Sequence, residues 1–468
     1  MTVTHGNTAA QAAAGPTATL AEFVAGLRFE DIPAPVVEHA KLAVLDTVGC
    51  GLFGSQLPWA KILRETIQTH DRGREATVWG TGERVSVLHA PLLNGTFVHG
   101  FELDDLHKRS ILHAGSTVVP TVLALAEARG VTAGRELLTA IVAGYEVGAR
   151  VGEAAGTAHL RRGFHPTGTH GAVAAAAAAA RLLNLPPAQV IDALGIGASQ
   201  GAGLMAAQFS SMVKRMHAGR AAQSGLYAAL LAERGFTGIR DVFENPYGGY
   251  LSTLSDGAQL DILTRGLGET WETAKVGFKW YPACGSCHTS IDAMLTLRRE
   301  RGVTADQVAR IKVRCSSATK EHVGWEYVPD SITTAQMNLA YCASVALLDG
   351  EVFVDQFRAE RLRDPAILEL ARRVEVIASP AIDAMGPSYR HRVEVEVELR
   401  DGTRHAITVD HALGSDARPL DRAAVLDKYR RLAGTVLGAG QVAALEEIVL
   451  SLERRSLAEV TAGLVPSA

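Results

Sequence analysis

Cysteine is sparse in this chain. Its 468 residues include Cys50, Cys284, Cys287, Cys315 and Cys342 and no others. An odd, scattered set of this kind excludes a disulfide framework and reads as the reduced thiols of a cytoplasmic protein. A long uncharged apolar run is also missing, since the alanines at 174–180 are too few to span a bilayer. So is charge of one sign. The formal net charge is −4, with no basic tail or stripe, which argues against nucleic acid or an anionic membrane surface as a partner. Aromatic residues make up only 6%, while Ala and Gly abound, a composition suited to helices packed at close range. The opening MTVTHGNTAAQAAAGPT has neither the basic nor the apolar region of a secretory signal and reads as a disordered lead-in. No P-loop occurs, and the glycine-rich pieces lack the strand–turn–helix frame and downstream acid of a dinucleotide site. No nucleotide or nicotinamide is implied.

What is present is helical periodicity over most of the chain, at a length that suits two or three domains. From Pro35, placed for a first turn, Val37, Lys41, Val44, Leu45 and Val48 recur at helical spacing, and Gly49-Cys50-Gly51 marks a stop. Further helices are predicted over about 116–128, 134–153, 171–183, 187–200 and 219–234, with Leu185-Pro186-Pro187 separating two of them. The pattern changes near Trp271. Residues 308–315 alternate, 393–399 alternate strictly, and Asp401-Gly402 turns the chain into 403–409, a hairpin signal. Helices over about 286–301 and 334–348 lie between these strands, and others follow over about 421–432 and 441–454. The predicted architecture is mainly α. Both chain ends, 18–270 and 411–468, form one large all-helical domain, and 271–410 form a smaller inserted α+β lid domain.

One stretch concentrates proton-transfer chemistry. Between Asn94 and Pro120 lie His99, Glu102, Asp104, Asp105, His107 and His113, and carboxylates and imidazoles at that density shift one another's pKa values. Asp104, Asp105 and His107 equally suit a hydrogen-bond network at a helix start. His113, before Ala114-Gly115, lies where backbone can approach a ligand. The spacing is not that of a metal site. His165-Pro166 precedes an Ala-rich helix whose N-terminus can attract a carboxylate, whereas His170 reads as a cap or packed residue. Lysine is scarce beside arginine, yet Lys214 and Lys279 each sit in a Gly-bounded, mostly apolar motif. There a lysine can hold a carboxylate or donate a proton, although a surface lysine is the commoner case. Cys284-Gly285-Ser286-Cys287-His288 matches a haem-attachment pattern by letter, but in an intracellular chain it reads as the start of a helix after Pro282.

Eight motifs, in order, resemble the MmgE/PrpD family. They are LDTVGCGLFGS from Leu45, NGTFVHGFELDD, HAGSTVVP, GFHPTGTHG, KRMHAGRAA, FKWYPACGSCH, MNLAYCASVALLDG and GSDARPL. That family includes 2-methylcitrate dehydratase, cis-aconitate decarboxylase and iminodisuccinate epimerase. The resemblance implies a dimeric enzyme with its site between a helical domain and an α+β lid, needing no metal or organic cofactor. Carried onto matching positions, it assigns catalytic roles to His113, His165, Asp104, Lys214 and Tyr341, and substrate binding to Glu102, Lys279 and His217. Departures occur where Glu102 replaces the first Asp of Asp-Phe-Asp-Asp-Thr, Leu106 replaces its Thr, and Ala114 stands where proline is common.

The expected function is a cofactor-independent lyase acting on a small di- or tricarboxylate, with acid–base chemistry at the carbon next to a carboxylate. Dehydration is the first expectation, epimerisation of a dicarboxylate the second and decarboxylation the third. A non-catalytic carboxylate-binding protein is the alternative from another class. A helical surface rich in Ala and Gly suits a symmetric homodimer.

Overall fold

The computed structural model describes residues 15–467; the stretch read as a disordered lead-in lies almost wholly outside them. The fold is mainly α with a small sheet portion. Its central element is helix Pro166–Leu182, every residue of which is buried. A helix that is apolar all round belongs inside a helical stack. Its alanines let neighbours close in. A Cβ on Gly144 of helix Gly134–Arg161 would lie 2.8 Å from the Ala174 carbonyl, and one on Gly225 of helix Val213–Glu233 would lie 2.5 Å from that of Ala172.

The predicted stop at Gly49-Cys50-Gly51 does not occur. Helix Ala34–Gly54 runs straight through it. These glycines are sites of close approach instead, since a Cβ on Gly51 would meet the Trp79 ring at 2.6 Å and one on Gly49 would meet Tyr429 at 3.3 Å. The helices expected to begin at Gly171 and Gly219 begin earlier, at Pro166 and Val213. His165 therefore stands at an N-cap, and Lys214 in a first turn. Two strands of two residues each, Ala76–Thr77 and Arg84–Val85, interrupt the helical run.

The other core is built on a four-stranded sheet, with helices Gly285–Arg301 and Leu339–Asp349. Strand Val308–Cys315 pairs antiparallel with Val393–Leu399, which pairs antiparallel with Arg404–Val409. A fourth strand, Val374–Ala378, lies parallel to Val308–Cys315 at the sheet edge. It went unpredicted because it is short and half-buried throughout, with no alternation of faces. The helix expected over 334–348 is two helices, Ile332–Gln336 and Leu339–Asp349, parted where the Asn338 side chain accepts from the Tyr341 amide at 2.9 Å.

Both chain ends share the larger core. Leu20, Val44 and Val48 pack in one cluster with Val425, Tyr429, Leu445 and Val460. Lys428, fully buried, pairs with Asp46 Oδ1 at 2.5 Å and donates to the Leu103 carbonyl at 2.5 Å. The C-terminal helix Arg422–Ala433 thus pins the acidic run that sequence marked as reactive. Among the described residues no helix is long and apolar enough to cross a membrane.

Candidate active site

The chain after helix His89–Val98 turns through His99–Phe101 and then leaves regular structure. Glu102 takes a left-handed backbone (φ 58°), and so does Ile111 (φ 57°). Neither residue adopts that region cheaply, and a β-branched side chain there is a true outlier. Strain of this kind persists only where the surroundings enforce it. Antiparallel bonds of 2.9 Å in both directions between Leu106 and Gly277 tie this loop to the chain entering the sheet-containing core. Gln336 Nε2 donates to the Phe101 carbonyl at 2.9 Å. A cavity opens between the two cores, lined by Glu102, Leu106, Ile111, His113, His165 and Lys214 from one side and by Cys284, Ser286, His322, Met337 and Arg390 from the other.

Glu102 stands at the centre of a cationic group. Its Oε1 contacts Lys214 Nζ and accepts from Arg215 Nη1 at 2.7 Å, and its Oε2 lies 3.4 Å from Lys279 Nζ. All four side chains are buried. Burial alone would raise the Glu102 carboxyl, but the three cations hold it well below its ordinary range. Burial likewise pulls Lys214 and Arg215 down, against the pull of Glu102. One carboxylate against three cations leaves a surplus positive charge beside the cavity, the condition for holding an anionic substrate. Neither lysine is a surface side chain.

Beside this group runs a file of imidazoles. The His99 ring is 4.7 Å from that of His113 and 5.4 Å from that of His165, which is 5.1 Å from that of His217. Asp104, fully buried, serves two of them. His99 Nδ1 is bonded to its Oδ2 at 2.9 Å, and His113 Nδ1 faces its Oδ1 at 3.3 Å without hydrogen-bond alignment. Burial would raise the Asp104 carboxyl, yet the charges of His113 and His99 hold it far below the usual value. Burial pulls His99 and His217 down to about 4 and His165 also well below the ordinary value. These three rings are therefore neutral near pH 7 and resist protonation there, which leaves them as hydrogen-bond donors and acceptors. His165 and His217 are joined through their Nδ1 atoms at 3.0 Å, so one donates and the other accepts. His99 Nε2 has no hydrogen-bond partner among the described residues and lies 3.9 Å from Glu102.

Seven of the eight residues that sequence singled out thus gather here: His113, His165, Asp104, Lys214, Glu102, Lys279 and His217. Tyr341 does not. It is buried in the sheet-containing core against Tyr327 and Phe357, its hydroxyl donates to the Gln356 carbonyl at 2.6 Å, and it does not line the cavity. Sequence alone assigns no role to His99, yet its ring meets Asp104, His113 and His165; the density of acids and imidazoles around it is the available signal. Asp105 and His107 belong to a hydrogen-bond network instead. Asp105 accepts from the Gly115 amide at 3.0 Å and from Tyr145 Oη at 2.7 Å, and His107 bonds Ser110 and Glu272. His170 is packed inside, bonded to Tyr250 Oη at 2.9 Å.

Two groups among the described residues could offer three ligand atoms within 4.8 Å to a metal, His99–Asp104–His113 and His107–Glu153–Glu272. In the first, the same atoms already serve the carboxylate–imidazole contacts just described. Cys284 starts helix Gly285–Arg301 as expected, but its thiol also faces the cavity, 3.8 Å from His322 Nδ1. Burial opposes its ionisation, and His322 nevertheless draws it down to about 6.

Comparison with known proteins agrees over most of the chain. Residues 18–263 match the MmgE/PrpD N-terminal domain, and residues 281–454 match the MmgE/PrpD C-terminal domain. The chain belongs to the MmgE/PrpD family. A cis-aconitate decarboxylase-like protein of Aspergillus oryzae is 35% identical over 93% of this chain and 94% of its own. A cis-aconitate decarboxylase of Aspergillus terreus is 34% identical over 95% and 94%. The mitochondrial 2-methylcitrate dehydratase of Yarrowia lipolytica is 24% identical over 87% and 82%. Leu106 lines the cavity, where it presents an apolar side chain.

Proposed function

We propose that this protein is a cofactor-independent lyase that decarboxylates a small unsaturated tricarboxylate. The observation that carries the reading is the buried Asp104–imidazole group set directly beside a surplus of cations on one cavity. Decarboxylation leaves an electron pair on carbon that a proton must quench. Dehydration takes a proton from carbon and gives one to a departing hydroxyl. Both need a positioned acid and base and a fixed positive field for the carboxylates. Decarboxylation displaces dehydration as first choice because the relatives so named match at 34–35% over more than nine-tenths of this chain, against 24% for the Yarrowia dehydratase. Dehydration remains the second reading.

In this proposal Lys214 and Lys279 hold carboxylates and His113 delivers or removes the proton at carbon. Asp104 orients His113 and His99, while the neutral His165–His217 pair offers a hydrogen bond to the substrate. Tyr341 has no part. The active protein is a homodimer, a reading supported by the exposed apolar side chains Tyr227, Phe236 and Ile239.

The test is proton NMR in deuterated buffer with cis-aconitate, 2-methylcitrate and citrate, using wild type and His113→Gln. Wild type is expected to release carbon dioxide from cis-aconitate and to place deuterium in the product. His113→Gln is expected to bind the acid yet lose about 10²–10⁴-fold in rate. Loss of water from 2-methylcitrate instead would select dehydration. Thermal stabilisation by these acids without turnover of any would mean a binding protein.

A further inference from the structure

Among the described residues, the cavity is reached by one arginine, Arg390, that pairs with no carboxylate. Arg390 follows the turn Pro387–Tyr389 and precedes strand Val393–Leu399. Its carbonyl accepts from Ser316 Oγ at 2.7 Å and from Thr319 Oγ1 at 2.9 Å, and its Nε donates to His391 Nε2 at 3.2 Å. These bonds fix the backbone and one nitrogen of the guanidinium. Its two Nη groups make no hydrogen bond or ion pair among the described residues, and they are not among the sealed, partnerless buried atoms, so they face open space. Arg390 lines the cavity that holds His113, His165 and Lys214 and also the opening next to it, where Arg161, Gln208 and the exposed Glu321 lie. Burial lowers its pKa only to about 10, so it remains charged at neutral pH. Arg215, fully buried, has Glu102; Arg390 has no carboxylate partner among the described residues, only the charge of the Cys284 thiol nearby.

A guanidinium held at its Nε, with both Nη groups free, is a fork matched to a carboxylate. Resting on the tricarboxylate reading above, we infer that Arg390 receives a second carboxylate of the substrate, separate from the one held by Lys214 and Lys279. The site then selects acids by the number and spacing of their carboxylates. The apolar side chains of Leu106, Ile111 and Met337 line the same cavity and offer no competing polar contact.

Isothermal titration with two inert acids tests this. Tricarballylate offers three carboxylates, and butyrate offers one, which the lysines can hold unaided. Arg390→Gln is expected to weaken tricarballylate by roughly 10- to 100-fold, the loss of a charged hydrogen-bond pair, and to leave butyrate unchanged. Arg390→Lys keeps the charge without the fork and is expected to fall between the two. Urea unfolding checks that each variant is folded, and should Arg390→Gln not fold, Arg390→Lys carries the test, with a loss of about fivefold expected. Tricarballylate bound equally by wild type and a folded variant overturns the role of Arg390 alone. Wild type that binds neither acid overturns the tricarboxylate reading and this inference with it.

Discussion

Glu102 is the residue on which the two halves of the site meet. It sits in a strained backbone conformation and is the shared counter-ion of Lys214, Arg215 and Lys279. Removing its charge strands buried cations, so Glu102→Gln is expected to cost about 3–5 kcal/mol of stability. Substrate carboxylates can replace part of what is lost. Saturating tricarballylate should therefore raise the melting temperature of Glu102→Gln by more than it raises that of wild type, as differential scanning fluorimetry would measure. An equal rise in both would mean that the ligand does not reach these cations. At this scale most of the chemistry was legible, because Lys214, Lys279, His113 and Asp104 stand out by type and neighbourhood. Tyr341 was not, since nothing local to it says that its hydroxyl is spent on the Gln356 carbonyl.

Among the elements, helix Val213–Glu233 has the heaviest duty. It carries Lys214, Arg215 and His217 and lies directly against helix His89–Val98, which leads into the reactive loop. Gly219 makes that approach possible, for a Cβ there would run into the Leu92 carbonyl and Thr96. Backbone cannot step aside as a flexible side chain can. Gly219→Ala is expected to destabilise by at least the ~1–3 kcal/mol typical of overpacking. It should also lower kcat/KM, by shifting Lys214 relative to Glu102, although residue 219 itself is not among those lining the cavity. Urea unfolding and steady-state kinetics on one preparation would show both; unchanged values in each would mean the helices can separate freely. Glycine was the element-level ambiguity in the sequence. Gly49, Gly51 and Gly219 look like helix punctuation in one dimension, and only the neighbouring helix reveals them as contact points.

The whole molecule carries a set of histidines that burial keeps neutral. His99, His159 and His217 are drawn from an ordinary 6.5 to about 4 and His288 to about 3. Between those values the unfolded chain binds protons that the folded chain refuses, so their contribution is complete above 6.5 and is lost as pH falls. Asp105 works the other way. Burial raises it from 3.8 to about 7, so across that range it favours the folded state at lower pH. Burial also lowers His39, His165, His170 and His391 and raises Asp46, Glu146 and Asp292, so the histidines outnumber the opposing carboxyls and the melting temperature is expected to fall as pH drops from about 6.5 towards 4, with Asp71 and Glu272, both held at about 2, adding to the loss below that. A flat calorimetric profile over this interval would contradict the assigned burial.

The proposed dimer also belongs to this scale. Sedimentation equilibrium is expected to give twice the chain mass, and Tyr227→Glu with Phe236→Asp is expected to shift it toward one. Helical character, the antiparallel strands and the crowding of acids and imidazoles into one run were determined by the sequence alone, because hydrophobic period, capping and residue type are properties of near neighbours. The assembly of the site was decided only by tertiary structure. Lys428 reaches the Leu103 carbonyl across 325 positions, Lys279 reaches Glu102 across 177, and Arg390 joins them from beside the sheet. Which side chains meet depends on how two separately packed cores are set against each other, and no local pattern records that.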